Sequence, residues 1–309
     1  MLRFFSRIDA WIEKPVSVLR IEIIRIGVPL MALGFMSDRI GHADELIGDV
    51  GFHPPHIPGD YRQPIEIPPL TPTASWIVAG LMIATGFAAS LGFKARVSSA
   101  VFAALMAFVA IADPLSSFTV SKITPVIMFT VALAPAGTRL SIDAWQRARR
   151  GAPPPDPMCP GGPLRFLQVF MCVFYFASGV AKFGGDWADT RNVLWTHLHD
   201  TYQTDISYWI GRVSPAWVWT PLQVAVLSFE LLAPVWFSLR WTRQVALVFG
   251  LGMHFMIAIM FGPVIWFGFL MMFMLLGTFL PDRYLARLEP LARRLETSPP
   301  AAVTRSSTT

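Results

Sequence analysis

A lysine closes one of the most apolar runs of the chain. In QVFMCVFYFASGVAKFGGDW, residues 168–187, Lys182 ends a stretch able to cross a bilayer, and Gly184, Gly185, Asp186 and Trp187 follow at once. An ammonium on a membrane helix is costly, which makes such a lysine a functional candidate by default. The alternative is a snorkelling lysine with its stem in lipid and its head in water. Tyr175, Ser178 and Gly179 precede Lys182 by seven, four and three residues, so they share its helix face. The small pair Ser178 and Gly179 lets a partner helix or a flat ligand approach closely. Lys122, just inside the fourth apolar run, stands at a similar depth. Two ammonium groups close together in a dry place oppose each other's charge, and a lysine made neutral in that way is a general base. Alone, Lys122 is an interfacial anchor.

A second set of charged residues falls inside apolar runs: Glu22, Arg25, Glu230 and His254. With a helical rise of about 1.5 Å per residue, Arg25 and His254 lie about 13–15 Å into their runs and Glu230 about 20 Å into its own. The expectation is one layer in which Arg25 pairs with Glu22 or Glu230 and His254 stands alongside. Such a layer is either a lock between the first, sixth and seventh helices or part of a site. His53-Pro-Pro-His56 and His197-Leu-His199 offer imidazoles, but no cysteine or close carboxylate set accompanies them, so no metal site is expected. The methionines of the last two runs, Met253 to Met274, read as packing residues. No phosphate-binding loop, dinucleotide fingerprint, nucleophile elbow or zinc-protease motif occurs.

The elements that must position these residues are membrane helices. The chain is 54% hydrophobic and 15% charged, against about 25% charged in soluble domains. Its net charge of +5 is spread over alternate helix ends rather than gathered in a patch, which argues against nucleic acid as a partner and for the lipid bilayer. Residues 1–15 read as an amphipathic surface helix with Phe4, Phe5, Ile8, Trp11 and Ile12 on one face. The charges of that segment argue against a cleaved signal peptide. Residues 16–285 contain about eight apolar runs: 16–36, 74–91, 97–112, 120–135, 164–183, 217–237, 244–260 and 263–280. The fold class expected is an all-α polytopic bundle. Lysine and arginine cluster on the side of the termini, so the expectation is an inner-membrane protein with both termini cytoplasmic. The loops 38–73 and 184–215 then face outward. Residues 286–309 read as a cytoplasmic, largely disordered tail. Cys159 and Cys172 imply no disulfide framework.

The segment YFASGVAKFGGDW, residues 175–187, resembles the YF-x-x-G-x-x-K-x-x-x-D-W signature of the horizontally transferred transmembrane (HTTM) domain, shared with vitamin K-dependent gamma-carboxylase. LRIEIIRIGVPLMAL near the start, SIDAW (141–145), FELLAPVWF (229–237) and GMHF (252–255) follow in the same order. In the carboxylase, the lysine of this motif is understood to deprotonate vitamin K hydroquinone, and oxygen then makes a base strong enough for glutamate carboxylation. The resemblance implies that Lys182 is the corresponding base. Tyr175, Ser178, Gly179, Lys122, Asp186 and Trp187 would line its site, and a reduced quinone would be the ligand. Where the carboxylases carry a histidine before the fourth span, SSFTVSKITP has Lys122 instead. Two other functions stay open: a non-catalytic maturation factor that holds another protein through loops 38–73 and 184–215, and a transporter that uses the charged layer.

Overall fold

The computed structural model describes residues 2–58, 65–114, 117–189 and 192–297; Asp60, Arg62, Arg191 and Arg305, which entered the charge count, lie outside them. Helices dominate. The first half contains α1 (Leu2–Glu13), β1 (Val16–Ser17), α2 (Leu19–Ile40), α3 (Ala43–Leu46), α4 (Pro72–Leu91), α5 (Ala95–Ala112), α6 (Thr119–Leu133) and α7 (Ile142–Arg149). After β2 (Met158–Cys159), which pairs antiparallel with β1, come α8 (Gly162–Phe183), α9 (Asp186–Asp189), α10 (Val193–His197) and α11 (Asp205–Val213). The chain continues through α12 (Trp219–Leu231), α13 (Ala233–Ser238), α14 (Thr242–Met260), α15 (Ile265–Phe279) and α16 (Asp282–Thr297).

Five helices among the described residues are long and apolar enough to cross a membrane: α4, α5, α8, α14 and the run Gly262–Phe279 that contains α15. The three other apolar runs depart from that form for identifiable reasons. Helix α2 is 22 residues long but carries Arg20, Glu22 and Arg25. Helix α6 is apolar but only 15 residues long. The sixth run is broken at Leu232 into α12 and α13, because Pro234 has no N–H to continue the ladder and its ring crowds the preceding turn.

Local chemistry sets the helix ends. Thr71 caps α4, with Pro72 at its first position, and Gly92 (φ +70°) ends it in the left-handed conformation. The carboxylate of Asp143, in the SIDAW segment, accepts from the backbone N–H groups of Lys94 and Ala95 at 2.9 Å each. It therefore caps α5 from a distance, while Ser141 caps α7.

Arg25 is fully buried and almost saturated. Its guanidinium donates to Glu22 at 2.5 Å, to the carbonyls of Ala89 and Ser90 at 2.7 and 2.6 Å, and to that of Leu140 at 2.7 Å. Glu22 in turn accepts from the N–H groups of Thr138 and Arg139 at 3.0 and 3.1 Å. This network ties α2 to the end of α4 and to the turn after α6. The expected single charged layer is thus corrected: Arg25 takes Glu22, three residues away, and Glu230 and His254 find partners elsewhere.

The expected disordered tail is also corrected in part. Residues 286–297 belong to α16, where Leu285 and Ala292 pack against Leu19. Arg20–Asp282 and Arg139–Glu289 ion pairs, both 2.6 Å, fix the helix to the bundle. Apolar residues at helical spacing in LARLEPLARRL outweigh Pro290. Residues 298–309 lie outside the described residues.

Candidate functional site

Helices α8 and α12 cross at Gly179. A Cβ there would meet the backbone N of Leu231 at 2.7 Å and the carbonyl carbon of Glu230 at 3.0 Å, so only glycine permits this approach. One turn further along α8, Lys182 meets Glu230. Its Nζ donates to Oε1 and Oε2 at 2.6 and 2.5 Å and to Ser178 Oγ at 2.9 Å. The Trp187 ring lies 5.3 Å from the same nitrogen, within cation–π range. The side chains of Lys182 and Glu230 are 25% and 8% exposed. Gly179→Val should therefore push the helices apart, lower stability by about 1–3 kcal/mol as an overpacked site, and separate the pair. Melting temperature and ligand binding measured on the same variant would check both effects.

The exposed side of the pair faces a cavity of about 580 Å³. Lys182 and Glu230 sit in a wall otherwise dominated by apolar groups, among them Trp187, Trp219, Phe249 and Met253. Two more polar side chains come from the segment after α8: His197 and Tyr202. His197 Nδ1 donates to the carbonyl of Val193 at 2.8 Å, which leaves Nε2 as the free ring nitrogen. Gln223 of α12 holds that segment in place, accepting from Leu194 N–H at 3.2 Å and donating to the Trp187 carbonyl at 2.9 Å.

Of the residues singled out from the sequence, Lys182, Trp187 and Glu230 line the cavity. Ser178 and Gly179 serve it from behind, one as a hydrogen-bond partner of Lys182 and the other as the contact with α12. Tyr175 is buried, and its hydroxyl bonds to His254 Nε2 at 2.8 Å. That pair braces α8 against α14 and does not line the cavity. Asp186 is exposed at the start of α9 and outside the cavity. Lys122 is exposed on α6 and outside it as well, so the expected pairing of two ammonium groups is replaced by an ammonium–carboxylate pair. Sequence reasoning named His197 only as a possible metal ligand and the methionines only as packing residues, and missed that His197, Tyr202, Met253, Met256 and Met260 face one cavity. The aromatic-rich segment 184–215 was the one available signal.

The motif YFASGVAKFGGDW thus supplies, in one turn-by-turn sequence, the brace, the helix crossing, the amine and its aromatic neighbour. A family model described as HTTM domain matches residues 14–282. The chain belongs to the HTTM domain family. Family membership and the apolar helices make it a multi-pass membrane protein. No match was found among curated proteins or among solved structures. In this HTTM protein the family match spans every residue of the Lys182 cavity.

Proposed function

We propose that the protein is a membrane enzyme of gamma-carboxylase-like type whose Lys182–Glu230 pair removes a proton from the hydroxyl of a lipid-soluble, quinol-like molecule held in the apolar cavity. One observation carries this reading: one ion pair set into a wall otherwise dominated by apolar groups, around a cavity large enough for a small flat molecule. Lys182 Nζ takes the proton from the ligand hydroxyl while passing one of its own to Glu230. The net result is a ligand oxyanion beside an ammonium and a neutral carboxyl group. The ammonium stabilises that oxyanion in a water-poor setting, where it is worth more than in bulk water. Trp187 and the methionines supply the apolar contact, and His197 Nε2 and Tyr202 supply the remaining polar contacts.

The proposal includes eight passes, with both termini in the cytoplasm and the cavity reached from the outer side of the plasma membrane. The excess of lysine and arginine at the end carrying the termini supports that orientation. A second reading, a partner or maturation factor for another protein, is supported by Trp209 in the segment 184–215 and Trp217 just after it, 63% and 73% exposed. Stoichiometric co-purification of a protein without any bound quinone would favour it.

Gly252 provides the test. It lines the cavity, and a Cβ added there meets nothing within 4 Å. Gly252→Phe should block the cavity while leaving stability unchanged or slightly raised, because glycine is a poor helix residue. A short-chain naphthoquinol titrated into the purified protein should bind to the native chain and at least tenfold more weakly to this variant. Equal binding to both would remove the cavity from the account.

A further inference from the structure

A second cavity, about 620 Å³, lies at the opposite ends of α8 and α14. Lys14, Arg20, Arg165, Arg240 and Arg243 line it, against two carboxylates, Asp282 and Glu289. Both carboxylates are already engaged, by Arg20 and Arg139, each at 2.6 Å. Among the described residues, Lys14, Arg165, Arg240 and Arg243 have no carboxylate partner. Arg165 is held by Gln168 Oε1 at 2.8 Å and the Trp11 carbonyl at 3.3 Å, and Arg243 by the carbonyls of Phe237 and Ser238 at 2.8 and 3.3 Å. These neutral acceptors orient the guanidinium groups without supplying a direct counter-charge, and the two carboxylates of the lining do not balance its five cations. Arg165 is partly desolvated and feels the like charges of Arg20 and Arg243, offset in part by Asp282.

The backbone adds to the same field. Helix α8 starts at Gly162 and α14 at Thr242, neither has a side-chain cap, and residues of both first turns line the cavity. The positive ends of two long helices therefore point to the place where the cations gather. Like charges held together by bonds to neutral groups need an anion, and planar guanidinium groups fit the oxygens of a phosphate. The cavity also sits where apolar helices begin, which in a membrane protein is the depth of lipid headgroups.

We infer that this second cavity binds a phosphate group, carried by an anionic lipid headgroup or by a free phosphate species. The inference does not rest on the Lys182 site, which lies at the other end of the same helices. Full-length protein, delipidated in detergent, would be tested with phosphatidylglycerol, phosphatidylcholine and inorganic phosphate, reading retained lipid by native mass spectrometry and ligand-induced thermal shift. The paired variant is Lys14→Gln/Arg240→Gln, since neither side chain makes a hydrogen bond or ion pair among the described residues. Its unliganded melting transition, and that of Arg240→Gln alone, confirm folding. Native protein should prefer phosphatidylglycerol to phosphatidylcholine, and the double variant should lose about tenfold of that preference. A response to phosphatidylglycerol alone assigns a headgroup, and a response to inorganic phosphate assigns a free phosphate. No response to either probe, or a response the variant keeps in full, overturns the inference.

Discussion

Glu230→Gln is expected to abolish proton removal and to lower stability by about 3 kcal/mol. That is the low end for breaking a buried ion pair, because Lys182 keeps a quarter of its side chain exposed to the cavity, 25%. The substitution keeps the shape and one accepting oxygen but leaves the ammonium without a counter-charge and without an acceptor for its proton. Lys182→Met/Glu230→Leu separates the two losses. Replacing both partners by apolar groups of similar volume is often neutral or stabilising, so the double variant should recover most of the stability. It should recover none of the proton removal. Denaturation midpoints of Lys182→Met, Glu230→Leu and the double variant, with naphthoquinol binding on each, complete the cycle. If the double variant also regained proton removal, the pair would be a structural lock alone.

Arg25→Met is expected to be the most destabilising single change, about 3–5 kcal/mol, with no direct effect on the Lys182 site. The side chains of Arg25 and Glu22 are both 0% exposed. Removing the guanidinium leaves Glu22 as a buried carboxylate without a counter-charge and takes one donor from each of the carbonyls of Ala89, Ser90 and Leu140. Glu22→Leu added to Arg25→Met should restore part of the loss. The measurement is the thermal midpoint of both variants in detergent; a change below about 1 kcal/mol would show that water or backbone rearrangement replaces the network.

The two ion pairs also show where sequence reasoning reaches and where it stops. Glu22 and Arg25 are three residues apart on one helix, so helical geometry made their pairing one of the two readings for Arg25, with Glu230 as the other. The face shared by Tyr175, Ser178, Gly179 and Lys182 was readable for the same reason. The Lys182–Glu230 pair joins residues 48 positions apart and was not readable from depth. The sequence places Lys182 at the end of its apolar run, next to a segment read as an outer loop. In the folded chain the following segment turns back over that end: the Tyr202 carbonyl accepts from Gly262 N–H at 3.1 Å, and Gln203 pairs with Phe261. Lys182 is therefore covered by residues that a one-dimensional reading assigns to an outer loop. The place of His197 in the cavity was missed for the same reason, since an imidazole in a polar loop carries no mark of the cavity it enters. Helix α16 was missed because the composition of the last residues obscured the apolar spacing just before them.

Proton transfer to the Lys182–Glu230 pair is tested most directly by the absorption spectrum of bound naphthoquinol, whose anion absorbs at longer wavelength than the neutral form. At neutral pH under anaerobic conditions, the native protein should show the anion band on binding, and Lys182→Met should bind the same molecule without it. A neutral spectrum in the native protein, or an anion band that survives Lys182→Met, would contradict the account.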